Sequence, residues 1–130
     1  MARKVMAAVE DLLFRSKIGE TANQLGIEAS FPRSPKKLEE ALEASPPDLL
    51  ILDLNSSRFE PLGLLRSVKS GGAADVKTVG FLSHVQKDLA VAAKEAGCDR
   101  VMARSAFTKD QPKVLAGGEP SDTVDEAGVG

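Results

Sequence analysis

Tryptophan and tyrosine are absent from the chain, and five phenylalanines are its whole aromatic complement. Its core must therefore be assembled from Leu, Val, Ile and Ala, a set that suits helices packed on a sheet. The single histidine, His84, has no second imidazole or cysteine beside it, which argues against a histidine-rich metal site and leaves it as a loop residue. The single cysteine, Cys98, can form no internal disulfide; it reads as a small filler in a turn and agrees with a reducing, cytoplasmic location. No stretch of roughly 18 apolar residues, the length that crosses a bilayer, occurs. The basic start Arg3-Lys4 is followed by an apolar stretch that Glu10 and Asp11 interrupt, so neither a membrane span nor a signal peptide is expected. Excess charge is missing too: 17 basic against 19 acidic residues leave a net charge of -2. Such a balance gathers no phosphate backbone, and direct DNA binding is not expected.

What is present is 130 residues, 42% of them apolar and 28% charged, the balance of one globular domain with one core. Two apolar runs, Asp48 to Leu54 and Lys77 to Ser83, are continuous rather than alternating, as in strands buried on both faces. Val5 to Val9 and Arg100 to Ala103 are further strands, and Ile27 to Phe31, which alternates, is an edge strand. Helical spacing links Phe14, Ile18, Ala22 and Leu25 up to a stop at Gly26. Ser34-Pro35 reads as cap and first residue of a second helix that ends before Pro46-Pro47. Pro61 opens a third, with Leu62, Leu65 and Val68 inward and Gly71-Gly72 after it; Leu89, Ala92, Ala93 and Ala96 mark a fourth, closed by Gly97. A fifth helix runs from a cap at Thr108 to Leu115 and should be short or strained, because Pro112 sits a turn inside it. Strands and helices thus alternate, which predicts an α/β fold: a doubly wound, parallel five-stranded sheet with helices on both faces. Residues 1–116 form this domain, and 117–130, acidic and Gly-rich, read as a flexible tail.

Doubly wound sheets bind ligands at the carboxyl ends of their strands. The residues there are Glu10 and Asp11, Asp53 and Asn55, Ser83 and His84, and Arg104 and Ser105. Glu10, Asp11 and Asp53 repel one another unless a cation joins them, and hard carboxylate oxygens suit Mg²⁺. Such an ion would leave Asp53 as a nucleophile toward a phosphoryl group, with Ser83 and Arg104 on the phosphoryl oxygens. Plainer roles exist for each residue. Asp53 can cap a turn; Glu10 and Asp11 can serve the dipole of the following helix; Ser83 can cap the next helix. Arg104 can pair with a carboxylate and replace the metal, which would lock the site. A small α/β nucleotide binder is the weaker reading, because Glu10-Asp11-Leu12 stands where a phosphate loop needs glycines, and no nucleophile elbow is present.

Pro47 to Leu54, followed by Gly63-Leu64-Leu65-Arg66, resembles the phosphoacceptor strand and following helix of response-regulator receiver domains, which have a flavodoxin-like fold. Val9-Glu10-Asp11 is similar to that family's acidic pair, Leu82-Ser83-His84 to its Thr/Ser, Ala96 to Asp99 to its Gly-containing turn, and Phe107 to the aromatic residue of its last helix. The resemblance spans about residues 4 to 115. It implies a single-domain signalling module acting by protein contacts, with phosphate accepted on Asp53 and contacted by Ser83 and Arg104. Mg²⁺ would be held by Asp11 directly, by Glu10 through water, by Asp53, and by the Asn55 backbone carbonyl. It also implies a histidine kinase or phosphotransfer protein upstream, a downstream protein on the face from Val85 to Leu115, and at most slow self-dephosphorylation. Arg104-Ser105 departs from the Lys-Pro of the family, and the loop from Asn55 to Pro61 lacks its usual Pro and Gly positions. The alternative is therefore a pseudo-receiver, which binds partners without phosphorylation.

Overall fold

The computed structural model describes residues 3–71, 75–83 and 86–117. Strands and helices alternate along it: β1 (Lys4–Ala8), α1 (Leu12–Gln24), β2 (Glu28–Ser30), α2 (Pro35–Ala44), β3 (Leu49–Asp53), α3 (Pro61–Ser70), β4 (Lys77–Leu82), α4 (Lys87–Glu95), β5 (Arg100–Ala103), α5 (Arg104–Lys109) and α6 (Gln111–Leu115). The strands form one parallel sheet in the order β2-β1-β3-β4-β5. The chain order reverses between β1 and β3, so their carboxyl ends open the crevice where such sheets place ligands.

The period-two alternation of a strand sorts the continuous apolar runs onto two covered faces. Met6, Ala8, Leu50, Leu52, Leu82 and Val101 pack against Leu38 and Leu42 of α2, Leu64, Leu65 and Val68 of α3, and Ala90 and Ala93 of α4. Val5, Ala7, Leu49, Ile51, Val79, Phe81 and Met102 face the other way, onto Phe14, Ile18 and Ala22 of α1 and Phe107, Val114 and Leu115 of the last two helices. The doubly wound architecture expected from the sequence is the one observed.

Helix ends follow local chemistry. Gly26 takes φ 70° after α1, and the Ser34 hydroxyl accepts from Lys37 N ahead of Pro35. Two expectations need correction. The last helix starts at Arg104 rather than at a Thr108 cap, and it is two pieces: α5 stops at Lys109, Asp110 breaks the path, and α6 begins so that Pro112 lies in its first turn. There the missing proline N–H costs nothing. Leu25, expected to face inward, is 44% exposed at the end of α1. Gly72, His84, Val85 and the expected tail from residue 118 onward lie outside the described residues. Among the described residues no helix is long and apolar enough to cross a membrane.

Candidate functional site

Asp53 closes β3, and its side chain is partly buried. Its Oδ1 accepts the N–H of Asn55 at 2.9 Å while its carbonyl accepts Ser56 N at 3.1 Å, so the chain turns sharply away from the sheet. Gly80 makes room for that turn, since a Cβ there would stand 2.8 Å from the Leu54 side chain. The loop ends at Glu60, which takes the left-handed conformation (φ 45°) ahead of Pro61. A non-glycine residue in that region is a strained junction between loop and α3.

Both acidic residues after β1 are engaged by protein groups. Asp11 caps α1, its Oδ1 accepting Leu13 N at 2.9 Å and Phe14 N at 3.2 Å. Its Oδ2 accepts a guanidinium N–H of Arg104 at 3.0 Å. That bond, then the N–H of Phe14, holds the Asp11 carboxyl below the usual aspartate range. Glu10 turns toward the β3–α3 loop: its Oε2 accepts the Ser56 hydroxyl and, at 3.4 Å, Arg58 N, and the Arg58 guanidinium lies 3.6 Å from Oε1. The Ser56 hydroxyl, followed by these Arg58 contacts, lowers its pKa. Ser56 also accepts Phe59 N at 3.2 Å, which makes it the pivot of the loop.

Arg104, the first residue of α5, lies on an aromatic floor. Its guanidinium carbon stands 4.3 Å from the Phe14 ring centroid and 5.9 Å from that of Phe81. Phe14 and Phe81 are 4.8 Å apart, and Phe107 stacks behind Phe81 at 5.3 Å. A planar, weakly hydrated guanidinium suits this seat better than an ammonium would.

Asp53 is the exception. Burial pushes its carboxyl above the usual aspartate value; the N–H of Asn55 and the charge of Arg104 oppose the rise without cancelling it, and Glu10 and Asp11 reinforce it. Asn55 links the second half of the site, its Oδ1 accepting Ser83 N at 2.8 Å and its Nδ2 donating to Gln86 Oε1 at 2.6 Å. Ser83 is exposed at the end of β4 and does not cap a helix: α4 begins at Lys87, with Gln86 as the preceding residue. His84 lies outside the described residues.

Asp11, Asp53 and Arg104 thus meet at the crevice, with Asn55 and Ser83 at its β4 side. Three participants were not singled out from the sequence: Ser56, Arg58 and Gln86. The only available signal was Ser56 standing three residues before Phe59, the spacing at which a hydroxyl reaches a following N–H.

These side chains do not fit a Mg²⁺ ion as they stand. Hard divalent ions need several carboxylate or carbonyl oxygens converging. Here Glu10 is turned to Ser56 and Arg58, Asp11 carries Arg104, and among the described residues no three His, Cys, Asp or Glu side chains group to hold a metal.

No protein-family model matches the sequence, and no curated protein does. Solved structures do. The chemotaxis response regulator CheY4 of Vibrio cholerae superposes with a TM-score of 0.79 at 14% identity, covering 89% of this chain and 98% of that one. The chain has the receiver fold. A response regulator from Thermotoga maritima matches at a TM-score of 0.77 and 17% identity, over 89% of this chain and 96% of that one. The phosphorylated cyanobacterial phytochrome response regulator RcpA matches at 0.75 and 20%, over 90% and 91%. Asp53 stands at the end of the central strand of this fold, and the charge of Arg104 acts on it.

Proposed function

We propose that this protein is a signalling module of the response-regulator type that acts by contact with other proteins, in a pseudo-receiver mode needing neither phosphate nor Mg²⁺. The observation that carries this reading is the Arg104–Asp11 ion pair at 3.0 Å, which supplies from within the chain the positive charge that the acidic crevice requires. With Asp11 already held by a guanidinium, the crevice has less to gain from an added cation. The surface offered to a downstream protein is the one built by α4, β5 and α5, within the stretch from Val85 to Leu115.

A second reading rests on Asp53. Its carboxylate ends the central strand, and among the described residues it accepts one hydrogen bond, from Asn55 N. That leaves oxygen available for phosphorylation by a histidine kinase or phosphotransfer protein, with Ser83 and Arg104 as the phosphoryl contacts. A nucleotide-binding role has less support, since Glu10-Asp11-Leu12 follows β1 where glycines would be needed.

Amide NMR of the wild-type chain with Mg²⁺ and beryllofluoride separates the two. The expected result is no saturable shift at Ser83 or Arg104. A saturable shift at these residues that vanishes in Asp53→Asn would overturn the pseudo-receiver reading and establish a phospho-switch.

A further inference from the structure

Charge is divided unevenly along the chain. Residues 1–99 hold 13 basic and 14 acidic side chains, close to balance. From Arg100 to Gly117 four cations, Arg100, Arg104, Lys109 and Lys113, stand against one carboxylate, Asp110. The 13 residues that follow carry four carboxylates, Glu119, Asp122, Asp125 and Glu126, and no cation. A basic stretch thus runs directly into an acidic one. Two of its four cations are engaged within the fold, since Arg104 bonds Asp11 and Arg100 also has a partner. Lys109 and Lys113 are exposed and make no ion pair among the described residues. They lie at the ends of α5 and α6, close to the point where the chain leaves the last helix. There Gly117 takes φ 91°, the left-handed stop that turns a chain off its helix axis, and Arg3 holds the exit by donating to the Leu115 carbonyl at 2.7 Å.

We propose that residues 119–126 dock back onto α5 and α6, with their carboxylates on Lys109 and Lys113, and so cover part of the surface that β5 and α5 build. Length permits it: the 13 residues after Gly117 span about 40 Å when extended, whereas α5 and α6 together run at most about 18 Å. Exposed ion pairs are individually weak, but a tethered segment meets its site at millimolar effective concentration, so contacts too weak to hold a free peptide hold this one. Because the attraction is electrostatic and solvent-exposed, salt releases it. The docking stands whether or not Asp53 accepts phosphate. Its consequence, that a downstream protein must displace the chain's own acidic segment, rests on the reading of that surface given above.

The test places a nitroxide on the full chain at Ala127→Cys and reads the paramagnetic broadening of amide signals. Cys98 stays unlabelled, because it is buried and burial pushes its thiol up to about 11. Spectra are compared at low salt and at roughly 1 M salt, where the screening length is about 3 Å. At low salt the amides of residues 104–113 should broaden, and at high salt they should recover. They should recover also in Lys109→Gln with Lys113→Gln, and in the harsher pair Lys109→Glu with Lys113→Glu; both side chains are exposed, so neither pair disturbs the core. Asp122→Lys, Asp125→Lys and Glu126→Lys together should lose the broadening in the otherwise wild-type chain and regain it against the Glu pair. Broadening that ignores salt and charge reversal, as from a segment that merely stays near its attachment, overturns the proposal. So does broadening that salt removes but the lysine variants leave unchanged. Beryllofluoride shifts that depend on Asp53 are a separate outcome: they sink the pseudo-receiver reading and leave the docking intact.

Discussion

The two ends of the sheet treat their aspartates in opposite ways. At the amino end, Asp99 precedes β5, and its Oδ2 accepts Thr78 N at 2.9 Å, the Thr78 hydroxyl at 3.1 Å and the Lys69 ammonium at 3.2 Å. Although partial burial works against it, the Thr78 N–H and the Lys69 ammonium lower its pKa. At the carboxyl end, Asp53 accepts one N–H and has its pKa raised by burial. One carboxylate is wired into the fold, and the other is held at a cost to itself. Groups of the second kind mark functional sites more often than structural ones, since a fold gains nothing by burying an uncompensated charge.

The strongest way to break this comparison is at Asp99. Thr78 is fully buried, and Asp99→Ala would strand its backbone N–H and leave the Lys69 ammonium with the Val76 carbonyl alone of the two groups it bonds. A buried donor left without an acceptor costs about 1–3 kcal/mol, so a loss of about 2 kcal/mol is expected in urea unfolding. An effect as small as that of Asp53→Asn would erase the distinction between the two ends. Gly97→Ala attacks the same corner indirectly. Gly97 has φ 109°, and a Cβ there would lie 2.4 Å from Lys69 Cγ. The strain and the displaced lysine should cost about 1–2 kcal/mol. Because Lys69 serves both residues, the double variant with Asp99→Ala should lose less than the sum of the two single losses. Additive losses would mean that Lys69 does not couple Gly97 to Asp99.

The sequence displays the amino end and the frame better than it displays the crevice. Apolar runs such as Leu49 to Leu52 were legible because a strand covered on both faces has no polar alternation to obscure it. Gly26 and Ser34-Pro35 were legible because positive φ and a capping hydroxyl restrict which residues serve there. The start of α5 was not, because Ala103 caps it without any side-chain bond and Arg104 carries no start signal. In the same way Gln86 precedes α4 without a capping bond, and Ser83 looked like the better cap. At the site, the positions of Asp11 and Asp53 after strand ends mark them in the sequence, and pairing with a carboxylate is one of the roles open to Arg104 there. Which carboxylate it chooses depends on the seat that Phe14 and Phe81 make together, a contact between α1, β4 and α5 that no local pattern encodes. Ser56 and Arg58 escaped notice for the same reason, since Glu10 reaches them across more than 40 positions of sequence.

The subtlest test of the comparison is the pH dependence of stability, where the two aspartates should have opposite signs. Asp99 has a folded pKa below the usual aspartate value of 3.8, so its stabilisation is complete above that pH and fades as the pH falls through the folded value. Asp53 has a folded pKa above 3.8, so between the two values the folded chain binds more protons than the unfolded one. Its contribution therefore falls as the pH rises through that window, and the penalty persists at neutral pH. Asp53→Asn removes the charge and keeps an oxygen for the N–H of Asn55. The variant should be more stable than the wild type at neutral pH, by about 0.5 kcal/mol, and the two should converge below pH 3.8. Urea midpoints taken between about pH 3 and 7 provide the measurement. Parallel profiles would mean that Asp53 carries no uncompensated charge, and the contrast between the two ends of the sheet would reduce to their hydrogen bonds. Convergence at low pH, with the variant ahead at neutrality, would locate the excess negative charge of this crevice on Asp53, the one carboxylate of the three that neither Arg58 nor Arg104 bonds directly.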